Sequence, residues 1–183
     1  MVRAVEKKSN IPIIDIAASL KPDCELADKR KIAQSIGEAC RTDGFFYIVG
    51  HGIDENLQNS LEEMSVLFFS LDHDTKIKIS MDKGGSAWGG YFPVGDELTS
   101  GKPDLKEGLY FGQELPLDDP RVLEKIPLHG PNLFPEIPRF KEVLLEYLEE
   151  MTELGHHLME LIALSLNLDS DYFRNLYTDD PLI

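Results

Sequence analysis

Asp43-Gly44-Phe45-Phe46-Tyr47-Ile48-Val49-Gly50-His51-Gly52-Ile53 is the stretch on which the reading of this chain turns. Five consecutive aromatic and β-branched residues, Phe45 to Val49, favour an extended strand, and Asp43-Gly44 before them ends whatever precedes. Gly50 and Gly52 bracket His51 in a corner where the chain must leave the strand. Upstream, Ile32, Ala33, Ile36, Ala39 and Cys40 recur at helical spacing, so a helix is predicted from about Glu25 to Thr42. Ile11-Pro12-Ile13-Ile14-Asp15-Ile16 reads as a short strand with proline near its start, where a missing N–H is tolerated. The opening is therefore β-α-β.

Downstream, Leu57, Leu61, Met64, Leu67, Phe68 and Leu71 mark a second amphipathic helix, with Asp54 placed to cap it. From Asp82 to Gly101 glycines surround Trp88, Tyr91 and Phe92, a pattern of loops or hairpins. Leu105 to Phe111 reads as a strand and Leu115 to Pro138 as a proline-rich crossing. A long helix is predicted to start near Pro138, a residue suited to the first helical position, and to run to about Leu166, roughly 40 Å at the usual rise. A turn is expected around Asp171-Tyr172-Phe173, and Leu182-Ile183 reads as the start of an apolar strand.

Composition bounds the function. With 183 residues and 42% hydrophobic content the chain can bury one substantial core. A formal charge of −15 disfavours nucleic acid and anionic membrane surfaces as partners. No run approaches the roughly 18–20 apolar residues of a membrane span, and the polar start at residues 1–10 does not read as a signal peptide. Cys24 and Cys40, without a CxxC pair, read as reduced thiols. A cytoplasmic location is expected, and the oligomeric state is open.

Candidate chemistry is sparse. Glu153-Leu154-Gly155-His156 matches the Glu-x-x-His step of di-iron bundles, which need two copies and further glutamates, and the chain has one. Glu149, Glu150, Glu153, His156 and His157 are instead expected on the solvated face of the long helix. The glycine-rich segment lacks the spacing of a phosphate loop. No serine or cysteine sits in a context that would make it a nucleophile.

Taken together, the strand and His-Gly corner at 45–52, Gly90-Tyr91-Phe92-Pro93 and Asp104-Leu105-Lys106-Glu107 resemble the N-terminal region of the isopenicillin N synthase-like non-haem iron(II), 2-oxoglutarate-dependent oxygenases. Here Gly50 stands where relatives usually carry asparagine, and Gly89 where many carry arginine, so contact with a substrate carboxylate is not implied. The resemblance implies an α/β fold, helices packed on strands of an incomplete double-stranded β-helix (jelly roll), with most of the catalytic sheet beyond the C-terminus. Residues 1–10 would be a tail, and 11–183 the dioxygenase N-terminal region, cut before the Fe(II)/2-oxoglutarate domain.

The implied reaction is oxidation of a small molecule, with 2-oxoglutarate decarboxylated to succinate. The family's His-x-Asp step is absent after each of His51, His73, His129, His156 and His157, and no arginine has the serine of its Arg-x-Ser pair. Iron and 2-oxoglutarate ligands are thus expected outside this chain, which would supply no metal ligand and no catalytic residue. Tyr91, with a ring face and a hydroxyl, is the candidate substrate contact, with Trp88 and Phe92 beside it. By the same resemblance His51 is a structural corner, whereas Glu107 is expected to anchor the strand or to pair with Lys106 or another cation and not to act as an acid or base. Two alternatives stand: a non-catalytic truncated binding module, and an iron oxidase that does not use 2-oxoglutarate.

Overall fold

A computed structural model describes residues 11–174, which form two compact units, 11–52 with 153–174 and 53–152. The polar tail at 1–10 and the expected strand start at Leu182-Ile183 lie outside the described residues.

In the first unit β1 (Ile13–Asp15) pairs in parallel with β2 (Tyr47–Val49), joined through α1 (Leu26–Thr42). This is the expected β-α-β, since parallel neighbours need a crossover long enough to hold a helix. The ladder is shorter than the apolar runs. Tyr47 N–H donates to Pro12 O at 2.8 Å and Ile16 N–H to Val49 O at 3.0 Å, and pairing ends there. Ala33, Ile36, Gly37 and Ala39 form the buried stripe of α1, whereas Cys40 is exposed. A side chain at Gly37 would press on Ser165, so the missing Cβ sets how closely that segment approaches. Gly44 ends the helix at φ +84°, and both Asp43 and Gly44 N–H groups donate to Ala39 O.

One face of this ladder is open. Ile14 and Ile16 are buried, while Ile13, Phe45, Tyr47 and Val49 are between 44% and 68% exposed. Two paired strands alone bury too little to stand as a sheet.

The second unit begins with α2 (Glu55–Ser70), capped by Asp54, whose carboxylate accepts from Asn56 N–H at 2.7 Å. The one-turn α3 (His73–Lys76) follows, then 3-10 turns to residue 87 and β3 (Gly90–Phe92). A two-residue hairpin pairs β4 (Leu98–Thr99) with β5 (Lys102–Pro103), and β6 (Gly108–Tyr110) returns antiparallel to β3. The core is aromatic: Phe68, Tyr91, Phe111 and Phe140 pack with Leu144, Phe68 meeting Tyr91 edge-on at 5.9 Å.

The proline-rich crossing holds only one helical turn, α4 (Pro120–Leu123). Its fixed point is buried Asn132, which exchanges bonds with Gly112 N–H and O and donates twice to Glu114. Glu114 in turn accepts from Lys141 at 2.7 Å. Burial pushes the Glu114 carboxyl towards its neutral form, yet Lys141 and Asn132 hold it below the ordinary carboxylate value.

The long helix α5 spans Phe140–Ser165, about 39 Å, its first half in the second unit and its last in the first. Its start lies near Pro138, as expected, but the proline is not the first helical residue. Arg139 adopts φ +64°, which breaks the helical path between the proline and Phe140. Chain turns at 169–174 match the expected turn around Asp171-Tyr172-Phe173. Among the described residues, no helix is long and apolar enough to cross a membrane.

Candidate functional site

In the second unit Trp88, Tyr91 and Phe92 all line one cleft of about 260 Å³, together with Asp82, Asp96 and Glu97. The glycines make this possible. Trp88 sits in the left-handed region (φ 54°, ψ 29°), unusual for a bulky side chain, and is 60% exposed with its ring stacked on Tyr110 at 6.2 Å. Gly90, at φ +123°, lies against Ile79 O, where a Cβ would come within 2.7 Å. A Cβ at Gly108 would overlap the Phe92 ring, so this glycine lets Phe92 lie across β6.

Tyr91 is 2% exposed, and its hydroxyl donates to Glu107 Oε2 at 2.5 Å. The same oxygen accepts from Lys76 Nζ at 2.8 Å, and Lys76 also donates to Phe69 O. Lys76 is buried, its ammonium 5.5 Å from the Tyr91 ring centroid. Lys76, then Tyr91, hold the Glu107 carboxyl below the ordinary carboxylate value. Burial first, then the bond to Glu107, push the Tyr91 phenol up to about 12, with the Asp96 charge adding to the effect. This triad locks β3 to α3 in its charged state, and the Tyr91 hydroxyl is already committed within it. The partner of Glu107 is Lys76 and not Lys106, which pairs with Glu97 at 2.7 Å.

The histidine corner is built as expected: Gly50 and Gly52 both have positive φ, and His51 is half-buried between them. A Cβ at Gly50 would fall 2.5 Å from Asp15 Oδ1 and 2.7 Å from Ala17 Cβ. Asp15 occupies that space because its carboxylate accepts from Ala17 N–H.

His157 departs from expectation. Glu149, Glu150 and Glu153 are exposed, but the His157 side chain is 13% exposed and its Nε2 lies 2.8 Å from Ser19 Oγ. Ser19 spends its own proton on Ile16 O, so Nε2 is the donor. Burial lowers the His157 pKa, while Glu160 nearby opposes the shift. Among the described residues no group of three or more His, Cys, Asp or Glu side chains could hold a metal ion. They do not fit a non-haem iron, which needs at least three converging ligands.

Asp82, Asp96, Glu97 and Lys76 were not singled out from sequence. The only signal for the first three was their position flanking the glycine-aromatic run, and Lys76 had none.

A family profile described as the N-terminal region of non-haem dioxygenase in morphine synthesis matches residues 11–137, a span that includes the cleft. A Dictyostelium discoideum protein named "probable iron/ascorbate oxidoreductase" is 51% identical over 94% of this chain and 50% of its own length. A 1-aminocyclopropane-1-carboxylate oxidase of Dictyostelium mucoroides is 39% identical over 94% of the chain and 47% of its own. An Arabidopsis thaliana homoarginine-6-hydroxylase is 33% identical over 94% and 53%. Among solved structures, a full-length Neurospora crassa protein in complex with alpha-KG superposes with a TM-score of 0.73 at 25% identity, over 93% of this chain and 51% of that one. The chain spans about half the length of the curated relatives it matches. On the profile match, on relatives up to 51% identical over the aligned part and on the shared fold, the chain belongs to the isopenicillin N synthase-like non-haem dioxygenase family, and residues 11–137 are its N-terminal region.

Proposed function

We propose that this chain is the N-terminal part of an Fe(II)- and 2-oxoglutarate-dependent oxygenase acting on a small molecule, and that the Trp88–Tyr91–Phe92 cleft is part of its substrate wall. The observation that carries the reading is the convergence of the three aromatic residues on one cleft inside the family-matched region. Iron and 2-oxoglutarate would supply the oxidising chemistry, held by residues other than those described. What these residues do is shape and exclude: Trp88 offers an exposed ring, Tyr110 backs it and packs on Phe92 as well, and the Lys76–Glu107–Tyr91 lock keeps β3 in register. Tyr91 contributes its ring and not its hydroxyl.

The fold proposal is that the strands join a jelly roll, of which residues 11–183 contribute the first part and 1–10 a tail. The open face at Ile13, Phe45, Tyr47 and Val49 supports it, since apolar side chains on a two-stranded ladder call for covering. A cytoplasmic location is supported by the two cysteines, both free.

Homoarginine and 1-aminocyclopropane-1-carboxylate, for which relatives are named, form the first substrate panel. The test is succinate formation and oxygen uptake by the complete protein with Fe(II), ascorbate and that panel. Substrate-dependent succinate is the expected result. A second reading, an iron oxidase without 2-oxoglutarate, is favoured by the "oxidase" and "iron/ascorbate oxidoreductase" relatives. Oxygen uptake that persists when 2-oxoglutarate is omitted would select it.

A further inference from the structure

We propose that the Trp88–Phe92 cleft takes a cationic head group, a guanidinium or an ammonium, so that the substrate is an organic cation or carries one at one end. The proposal rests on the reading that this cleft is a substrate wall, and adds the chemistry it selects. Three aromatic and three acidic residues line the cleft, with no Lys or Arg among its lining. Ring faces and carboxylates are the two surface types that attract a cation, and the attraction grows as water is displaced.

The protein's own side chains show the arrangement in use. On one side Lys106 Nζ sits 2.7 Å from Glu97 Oε2 and 6.0 Å from the Phe92 centroid, a carboxylate and a ring holding one ammonium. Tyr110 donates to the other Glu97 oxygen at 2.7 Å, so that carboxylate is satisfied. Asp82 and Asp96 are exposed, with no ion pair or side-chain hydrogen bond among the described residues, and they leave negative charge at the cleft for an incoming group. Trp88, 60% exposed and held in a backbone conformation that disfavours bulky side chains, presents its ring beside them. Backbone preference alone would favour glycine or asparagine at such a position. At about 260 Å³ the cleft suits one end of a ligand, because whole drug-sized ligands occupy roughly 300–1,000 Å³.

The experiment is calorimetric titration of the protein with n-butylguanidine, n-butylamine and neutral n-butylurea, the last matching the guanidine in shape. Saturable binding of a cation, with butylurea at least about fivefold weaker, is the expected result. Tighter guanidine than amine would assign the head group to stacking on Trp88, and the reverse order to a point charge at Asp82 and Asp96. Asp82→Asn combined with Asp96→Asn should abolish the preference, and since both side chains are exposed the fold should be unchanged by circular dichroism. Trp88→Ala should weaken both cations. Equal binding of butylurea, or a preference that survives loss of both carboxylates, would overturn the proposal. The titration needs neither iron nor 2-oxoglutarate. Cation binding without turnover therefore sinks the oxygenase reading alone, and turnover without cation preference sinks this one alone.

Discussion

Replacing Glu107 by Gln keeps the shape of the Lys76–Glu107–Tyr91 lock and removes its charge. The Tyr91 hydroxyl still finds an oxygen to donate to, but the buried Lys76 ammonium keeps only Phe69 O as a strong acceptor. Leaving one charge of a fully buried pair uncompensated costs about 3–5 kcal/mol. Here Lys76 is 9% exposed at its side chain and Glu107 27%, so water can reach part of the site, and a loss of about 2–3 kcal/mol is expected. Lys106→Met serves as the comparison. Its pair with Glu97 is 53% and 29% exposed, so solvent screens it and its loss should barely move the unfolding midpoint.

Urea unfolding, followed by circular dichroism, measures both. The pH dependence carries a sign. Because the Glu107 pKa is lowered in the fold, its contribution is present above its unfolded value and is lost as pH falls through its folded value. The Tyr91 phenol, raised to about 12, contributes below its unfolded value near 10, and that contribution disappears as pH climbs towards 12. Glu107→Gln should therefore flatten the acid limb of the stability profile. A midpoint shift for Glu107→Gln no larger than that of Lys106→Met would refute the view that the triad anchors β3.

His157, whose pKa burial lowers, contributes stability above its unfolded value near 6.5 that is lost as pH falls, so the melting temperature should drop from pH 8 to pH 5 and His157→Gln should reduce that drop; an unchanged slope would contradict the Ser19 contact. Gly50→Asn meets Asp15 and Ala17 and should cost about 1–3 kcal/mol by thermal unfolding, where a neutral result would show that Asp15 yields. Trp88→Gly should leave stability within about 1 kcal/mol, because relief of the left-handed backbone offsets the lost stacking on Tyr110; a loss above about 2 kcal/mol would make Trp88 a structural residue.

Much of the fold was legible because it rests on local rules. The stripe Ala33, Ile36, Ala39 gave α1, Asp54 announced α2, and glycine at 44 ended a helix where expected. What was not legible depends on partners distant in sequence or on single dihedral angles. His157 reads as surface from helical spacing alone, since Ser19 reaches it from 138 residues away. Lys76 looks like any helix-end lysine until Glu107 is placed beside it. Pro138 is a sound helix starter, but the left-handed Arg139 intervenes, and nothing in the sequence fixes that angle. Of the candidate site, the three aromatic residues were legible and do share a cleft. Its acidic side was not, because Asp82 lies across a glycine loop from Asp96 and Glu97.

Whether the Trp88 cleft is a substrate wall is decided by the effect of Trp88→Ala on turnover by the complete protein, read as succinate and oxidised product with the substrate panel above. Substrate-dependent succinate, a KM raised about tenfold by Trp88→Ala and unaltered Fe(II) binding are expected, because the residue would touch substrate and hold no metal. An unchanged KM with the turned-over substrate, or Fe(II) binding lost with Trp88 in a folded protein, would contradict it.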